Sequence, residues 1–261
     1  MSHPIISLPV IPHNSRSSQS FTSIPDESIT PGWYISPECM QRFEGLKIEK
    51  RLGKGGFGTV HDLCSASHCD KIVKVVPLSA NNNTLSIMGL YISGYIDIKA
   101  YYRQMEQIWY RPDERYAAIK AKFEKEVTIS KIASQLGVGP IFIDAFICSN
   151  NLFYPVGQID YLGFIITEKW DLTLHDYLKT HQSIPSPLAD KLVYLLEQLH
   201  SAGIYHDDLS FSNIMLRMNK ANPIDVTIID YGLSDFINSP PTEQFAIDEM
   251  TRLVEKLKPL H

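Results

Sequence analysis

The chain contains a short polar loop, His206–Asn213, that is followed by an apolar run ending at Asp230. Within the loop, Asp208 and Asn213 are five positions apart, and Gly232 follows Asp230 by two. Carboxylate and amide oxygens are the ligands that hard cations such as Mg²⁺ prefer. If the loop lies beside the strand end, these groups can hold cations and a hydroxyl nucleophile against a nucleotide's terminal phosphate. The spacing therefore indicates phosphoryl-transfer chemistry and requires a fold in which loop and strand end meet.

A glycine-rich segment, Gly53–Val60, lies far upstream of that loop. Its glycines have the G-x-G-x-x-G spacing, and they let backbone N–H groups approach phosphate oxygens because no Cβ intervenes. The same spacing marks dinucleotide-binding folds, but there it leads from a strand into a helix, whereas here strands are predicted on both sides. The segment therefore favours a phosphate-covering hairpin. The residues predicted to bind the nucleotide here are Gly53, Lys54, Gly55, Gly56, Phe57, Gly58 and Val60.

Lys74 is the candidate phosphate-binding lysine. It lies on the apolar face of the β-branched run Lys71–Val76, because alternate residues of a strand point to the same side. A charge among apolar neighbours needs a partner. Glu126 is the predicted partner, with Glu124 as the alternative, because Glu126 borders the buried side of a predicted helix. The alternative is that Lys74 and Glu126 do not pair and that each side chain is simply exposed to solvent.

The polar loop has a purely structural alternative, in which its Asp and Asn residues serve as caps and turn formers. The catalytic interpretation is favoured because Asp230 follows an apolar strand and a glycine comes two positions later. His206 is interpreted as a hydrogen-bonded anchor of the loop rather than as a ligand.

A metal site and a disulfide framework are two interpretations of the cysteines and the nearby histidines. The cluster His61, Cys64, His68 and Cys69 matches no compact zinc pattern, so a hairpin turn is expected there. Four cysteines in 261 residues do not resemble a disulfide framework either. A reducing compartment is the prediction that follows.

Charge and hydropathy exclude several classes of protein. The net charge of −5 provides no basic field of the kind that nucleic-acid-binding proteins carry. The short apolar patch near the N-terminus lacks preceding basic residues, so no signal peptide is predicted. The longest apolar segment, Leu85–Ile98, is too short to span a bilayer and contains an acid. We therefore expect no nucleic-acid partner and no membrane span.

Hydrophobic periodicity separates a flexible leader, residues 1–40, from a strand-rich first half and a helix-rich second half. Three strands surround the glycine segment and Lys74, which indicates an antiparallel meander. A helix is predicted from Pro112 to Gly137, and another ends before Gly203. The apolar side of a last helix, Glu243–Leu257, is predicted to consist of Phe245, Met250, Leu253, Val254 and Leu257. The two halves predict two lobes with a ligand cleft between them.

Together these motifs resemble those of the protein-kinase superfamily over roughly residues 46–258. The resemblance implies that Lys74 and Glu126 form the ion pair that positions the α- and β-phosphates. It implies that Glu168 to Trp170 is the hinge that holds adenine, with Glu168 and Trp170 as nucleotide-binding residues. By the same resemblance, Asp208 orients the acceptor hydroxyl, whereas Asn213 and Asp230 hold Mg²⁺.

The chain departs from the common kinase pattern at several points. Asp207 occupies the place of a usual arginine, which puts phosphorylation gating in doubt. Ser210 replaces the loop lysine that steadies the γ-phosphate in Ser/Thr kinases. No A-P-E sequence follows Gly232, so a shortened lower lobe is expected, and residues 78–112 resemble an insertion. The compact end resembles minimal atypical Ser/Thr kinases of the Bud32 type, or small viral or bacterial-effector kinases. In that comparison Asp248 is expected to brace the catalytic loop.

The predicted fold class is α+β, a bilobal protein-kinase-like fold with an antiparallel N-lobe sheet and a shortened, mainly helical C-lobe. The predicted domains are residues 41–168, with an insertion at about 78–112, and residues 169–261. The predicted function is transfer of the γ-phosphate of ATP, with Mg²⁺, to Ser/Thr hydroxyls of a protein substrate. A small-molecule phosphotransferase and a pseudokinase or partner-binding module are the alternatives. A regulatory partner protein and a cytoplasmic location, in a host cell if the chain is viral or an effector, are further expectations.

Overall fold

The structure, a computed structural model, describes residues 10–11, 37–54, 58–78, 112–150 and 160–257. The strands are β1 (Val10–Ile11), β2 (Lys47–Lys54), β3 (Thr59–Cys64), β4 (Lys71–Pro77), β5 (Phe142–Asn150), β6 (Asp160–Glu168), β7 (Leu172–Thr173), β8 (Ile204–Tyr205), β9 (Ile214–Asn219), β10 (Asn222–Ile228) and β11 (Asp235–Phe236). The helices are α1 (Pro37–Gln41), α2 (Pro112–Gln135), α3 (Leu174–Leu178), α4 (Ser186–Ser201) and α5 (Pro240–Leu257), and a 3₁₀ turn covers Phe211–Asn213.

The described chain is an α+β protein that divides into two compact units. Among the described residues, one unit comprises 125–144 and 167–257, and the other comprises those between 10 and 124 together with 145–150 and 160–166. The bilobal arrangement and the predicted domain limits stay predictions. The predicted insertion between Leu78 and Pro112 and the apolar segment Leu85–Ile98 lie outside the described residues.

The largest sheet has six strands in the order β1-β5-β6-β4-β3-β2, of which five form an antiparallel sheet. The predicted meander agrees with the observed β2, β3 and β4, which pair antiparallel in sequence. Val73, Val75 and Leu63 are buried in an apolar cluster on one face, with Phe146 and Phe164. Gly163 in β6 lies against Phe123, since a Cβ there would come within 2.5 Å of the ring.

A second apolar cluster supports the elements that follow β6. The leucines of α4 form its centre, as their helical spacing predicts: Leu188, Leu192, Leu195, Leu196 and Leu199. β9 and β10 pair antiparallel and bring Ile214, Leu216, Val226 and Ile228 onto this cluster. Gly203, at φ +75°, and Gly137, at φ +70°, follow the ends of α4 and α2 in the left-handed region, where glycine is favoured.

The buried face of α5 differs from the predicted one. Phe245 and Val254 were assigned to the apolar side but are 47% and 38% exposed. The buried residues are Ala246, Glu249 and Leu253. The prediction was wrong for Phe245 and Val254, whereas its other three residues pack against the apolar cluster. It took every charged residue to lie on the solvent side, but Glu249 lies on the buried face.

The cysteine prediction was also wrong. All four cysteines are paired, Cys39 with Cys148 across 109 positions and Cys64 with Cys69 across five. Cys39 and Cys148 bring α1 onto β5 inside the buried apolar cluster, a proximity that sequence spacing does not reveal. Cys64 and Cys69 flank the turn between β3 and β4, which agrees with the predicted hairpin.

None of the helices in the described ranges has the length and apolar composition needed to cross a membrane.

Candidate active site

The β9–β10 hairpin determines where the predicted metal-binding residues lie. Ile214, the first residue of β9, pairs with Ile228, the last residue of β10. One position further out, the Ile229 N–H donates to the carbonyl of Asn213 at 2.9 Å. The chain segments carrying Asn213 and Asp230 therefore leave the same end of one hairpin. The buried apolar residues Ile214, Leu216, Val226 and Ile228 favour this register, because a slip of one residue would turn these side chains outward.

Asn213 contacts Asp208 directly. Its Nδ2 donates to the Asp208 carbonyl at 2.8 Å and to the Asp208 carboxylate at 3.1 Å. The 3₁₀ turn Phe211–Asn213 makes this possible, closed by the Asn213 N–H donating to Ser210 at 2.9 Å. Because the nitrogen faces Asp208, the amide oxygen of Asn213 points to the other side and suits a hard cation. The hairpin and the loop thus bring Asp208, Asn213 and Asp230 to one end of this unit.

His206 links the loop to the segment that ends at Asp230. Its ring is fully buried. The Nε2 atom pairs with the Ile229 carbonyl at 2.9 Å, and Nδ1 accepts the Asp208 N–H at 3.3 Å. These partners require the tautomer with hydrogen on Nε2. The contacts agree with the predicted anchor role and place the imidazole between the polar loop and the segment that carries Asp230.

Glu249 is a site residue that sequence analysis missed. Its carboxylate is 3% exposed and accepts the backbone N–H groups of His206 and Asp207 at 3.0 and 2.9 Å, and Nε2 of His200 at 2.9 Å. Burial acts to raise the pKa of Glu249, but the hydrogen bonds from His200 and His206 outweigh it and hold that pKa below its ordinary value. The α5 helix thus supplies a buried anion that fixes the backbone of the loop.

The predicted brace, Asp248, does not take this position. Asp248 is exposed on α5 and accepts a hydrogen bond from Gln244 at 2.8 Å. The residue next to it on the helix, Glu249, faces the loop. That prediction was wrong because a motif match left the rotation of the helix about its axis undetermined.

Two acids of the site have left-handed backbone conformations. Asp207 has φ 63° and Asp230 has φ 66°. Residues other than glycine rarely adopt this region, and each instance costs on the order of 1–3 kcal/mol. Such strain persists only where surrounding contacts impose it, and here Glu249 holds the N–H of Asp207. Strained residues cluster at functional sites, which makes both positions notable.

Tyr231, which follows Asp230, secures the strand end from the inside. Its hydroxyl donates to the Ile228 carbonyl at 3.0 Å, and burial raises its pKa well above the ordinary value. Gly139 approaches it closely, since a Cβ there would lie 3.0 Å from the hydroxyl oxygen. A neutral, buried phenol therefore serves as a fixed donor beneath the segment that carries Asp230.

The predicted hinge residues are held by Arg217, a second residue that sequence analysis missed. A carboxylate oxygen of Glu168, Oε2, accepts from Arg217 at 2.8 Å, and the Arg217 guanidinium lies 4.3 Å from the centre of the Trp170 ring. The other oxygen, Oε1, accepts from Ile141 N–H at 2.9 Å and from Trp170 Nε1 at 3.1 Å. The sequence offered one signal for Arg217: alternation along β9 turns it to the side opposite the buried Leu216.

In the other unit, Gly53, Val60 and Lys74 form a lateral row across β2, β3 and β4. Laterally paired residues point to the same face of a sheet, so Val60 and Lys74 are neighbours on one side. Lys74 is half-buried there, and the adjacent Val73 and Val75 point into the core on the opposite face. Lys54 ends β2 and is exposed.

Gly58 is required by a close backbone approach. A Cβ at this position would lie 2.2 Å from the Val75 carbonyl oxygen, whereas one at Gly53 would meet nothing within 4 Å. Gly55, Gly56 and Phe57 lie outside the described residues. The glycine segment therefore has at least one glycine whose role is packing of β3 on β4.

Glu126 is buried in α2, 5% exposed, whereas the alternative partner Glu124 forms an ion pair with Lys120 at 3.5 Å. Lys74 and Glu126 belong to different units, and their pairing stays a prediction.

Comparison with known proteins gives two partial matches, and no protein-family model matches the chain. The chain is 39% identical over 71 residues to a probable serine/threonine-protein kinase 2 of Plasmodium falciparum, covering 26% of this chain and 14% of that protein. It is 35% identical over 75 residues to mitogen-activated protein kinase 3 of Arabidopsis thaliana, covering 27% of this chain and 19% of that protein. About a quarter of the chain is thus similar to Ser/Thr protein kinases, and the matched part spans less than a fifth of either relative.

Proposed function

We propose that this chain is an ATP- and Mg²⁺-dependent protein kinase that transfers the γ-phosphoryl group to Ser or Thr hydroxyls. The observation that carries the proposal is the hydrogen bond from Asn213 to Asp208 at the hairpin end that also carries Asp230. This combination of one amide and two carboxylates suits cation binding and hydroxyl orientation together. The similarity to two Ser/Thr kinases supports the same reaction class.

The chemical step assigns a different role to each of the three residues. Asp208 accepts a hydrogen bond from the acceptor hydroxyl and receives its proton as the oxygen attacks the γ-phosphorus. The bond between that phosphorus and the β–γ bridging oxygen breaks, and ADP leaves with the bridging oxygen. Asn213 holds the Asp208 carboxylate in place through its Nδ2, while its amide oxygen and the Asp230 carboxylate are the proposed ligands of Mg²⁺. When bound, Mg²⁺ neutralises charge on the phosphates.

The remaining predicted residues position the nucleotide. The backbone of the glycine segment is proposed to cover the phosphates, and Lys74, paired with Glu126, to hold the α- and β-phosphates. Val60 lies beside Lys74 on one sheet face, where an apolar side chain can cover the base. The backbone of Glu168 to Trp170 is proposed to bind adenine. A protein substrate is proposed because both partial matches are to protein kinases.

A phosphotransfer assay with matched variants tests the proposal. Wild-type protein is incubated with γ-labelled ATP, Mg²⁺ and a mixture of Ser/Thr-rich proteins, and labelled amino acids are identified after hydrolysis. We expect labelled phosphoserine or phosphothreonine, with a loss of at least about 100-fold in Asp208→Asn, which keeps the shape of the side chain. Asp225→Asn is the control, since Asp225 is on β10 but pairs with Lys191 at 2.5 Å.

The results separate the alternatives. Label on added aminoglycosides or other small hydroxyl compounds, and none on protein, would replace the proposal with a small-molecule phosphotransferase. Wild-type protein that binds no ATP and transfers no label would contradict both enzymes and favour a pseudokinase.

A further inference from the structure

Arg217 contacts three consecutive residues: Glu168 at the end of β6, and Lys169 and Trp170 in the segment that leads to β7. It donates to the Glu168 carboxylate at 2.8 Å and to the Lys169 carbonyl at 3.0 Å, and its guanidinium covers the Trp170 ring at 4.3 Å. We propose that Arg217 is a positioning residue that holds this segment in the conformation that binds the nucleotide base. This inference rests on the proposed kinase function.

The segment needs such support because it lies between two strands without being part of a ladder. Lys169 and Trp170 have no regular secondary structure. The Glu168 N–H donates to Ile141 at 3.0 Å, and the Asp171 N–H to Leu216 at 3.2 Å, so the backbone is held on either side. Between these points, Arg217 binds the Lys169 carbonyl. Ordering a stretch of backbone costs conformational entropy, and a ligand that needs the ordered form would otherwise meet that cost on binding.

The Glu168 side chain is fully engaged within this network. Oε1 accepts from Ile141 N–H and Trp170 Nε1, and Oε2 accepts from Arg217. A carboxylate with these three donors faces the protein and not a ligand. Base recognition at Glu168 is therefore assigned to its backbone carbonyl, because its N–H already donates to Ile141, and its side chain connects Arg217 to the proposed hinge.

An arginine is specifically suited to this position. A planar guanidinium can bind a carboxylate and a carbonyl through separate nitrogens while its face stacks on an indole. A lysine has one ammonium group and cannot make all three contacts in one geometry. The network further continues along β9, because the Met218 N–H donates to the Asp171 carboxylate at 2.7 Å.

The test compares Arg217→Met and Arg217→Lys with a matched control, Lys191→Met. Lys191 also forms an ion pair in the same unit, but its partner, Asp225, lies on β10 and not in the proposed hinge. For each protein the KM for ATP, kcat, the Kd for ADP by calorimetry and the thermal midpoint are measured. Quenching of the indole fluorescence by ADP, assigned with Trp170→Phe, reports on the hinge itself.

We expect Arg217→Met to raise the KM for ATP and the Kd for ADP by about tenfold, the scale of a lost hydrogen bond to a charged group, while kcat changes by less than about twofold. For Arg217→Lys, the KM for ATP and the Kd for ADP should lie between those of Arg217→Met and wild type. For Lys191→Met, both constants should equal those of wild type. An unchanged KM and Kd in folded Arg217→Met or Arg217→Lys would overturn the inference and leave the kinase proposal standing. Wild-type protein that binds no ADP and transfers no phosphate would overturn both.

Discussion

The Glu249 carboxylate accepts the backbone N–H of His206 at 3.0 Å across 43 positions of sequence. The same carboxylate accepts the Asp207 N–H at 2.9 Å, so α5 holds the residues that directly precede Asp208. Because α5 holds the backbone of this loop, changes at Glu249 should affect both the stability of the fold and the proposed activity.

Replacing Glu249 with Gln should destabilise the fold and slow phosphate transfer. The amide keeps the shape but loses the charge, and its NH₂ group faces the backbone N–H of either His206 or Asp207. A lost hydrogen bond to a buried charged group costs about 1.5–3 kcal/mol. Urea unfolding should show this decrease, and Asp248→Asn, which alters an exposed neighbour, should unfold like wild type. Equal stabilities of the two variants would contradict the assigned role.

The stability contributed by Glu249 should depend on pH. Because its pKa is held below the ordinary value of 4.5, the unfolded chain binds the proton more readily than the folded one. The contribution is therefore present above pH 4.5 and is lost as the pH falls below that value through the folded-state pKa. Unfolding midpoints measured between neutral and acidic pH should converge for wild type and Glu249→Gln in acid. A difference between them that stays constant with pH would disprove this linkage.

Gly58→Ala should be far more destabilising than Gly53→Ala. A Cβ at Gly58 would lie 2.2 Å from the Val75 carbonyl oxygen and must displace backbone, whereas a Cβ at Gly53 meets nothing within 4 Å. Overpacking of this kind typically costs about 1–3 kcal/mol. Denaturant unfolding of the two variants in parallel checks the prediction, which fails if Gly58→Ala retains wild-type stability.

Asp207→Gly should be more stable than Asp207→Ala. Asp207 has φ 63°, a conformation that glycine adopts without strain and alanine does not. Its side chain is exposed, so each change acts mainly through the backbone. We expect the glycine variant to be the more stable of the two by about 1 kcal/mol, measured as a difference in thermal or urea midpoint. A more stable alanine variant would argue against an imposed left-handed conformation.

The two disulfides should contribute unequally. By loop-closure entropy, the link Cys39–Cys148, which spans 109 positions, stabilises by about 5 kcal/mol, and Cys64–Cys69, which spans five, by about 2 kcal/mol. Double serine variants at each pair, unfolded in urea without reductant, should show this order. Mass spectrometry after thiol labelling verifies the pairing, and free thiols in unreduced protein would refute it.

Local elements were predictable because they depend on neighbours in sequence. Apolar alternation and the glycines between strands correctly indicate β2, β3 and β4, and Pro112 correctly indicates the start of α2. The polar loop was predictable as a unit for a similar reason, since Asp208 and Asn213 are close in the chain and meet through one 3₁₀ turn.

Residues whose role depends on a distant partner could not be predicted. Glu249 faces the loop because of how α5 packs, and a hydrophobic pattern assigns any glutamate to the solvent side. Arg217 resembles an ordinary polar residue of an alternating strand until Glu168 and Trp170 are placed beside it. The same holds for Cys39 and Cys148, which are brought together only by the docking of α1 on β5.

By itself, the amino-acid sequence determined the succession of strands and helices and the chemical identity of the groups Asp208, Asn213 and Asp230, because period and residue type are local properties. Only the tertiary structure decided which side of α5 is buried, which cysteines pair and which arginine holds the hinge. Those outcomes depend on packing between segments far apart in the chain, where the favourable burial of one face competes with every other arrangement of the same elements.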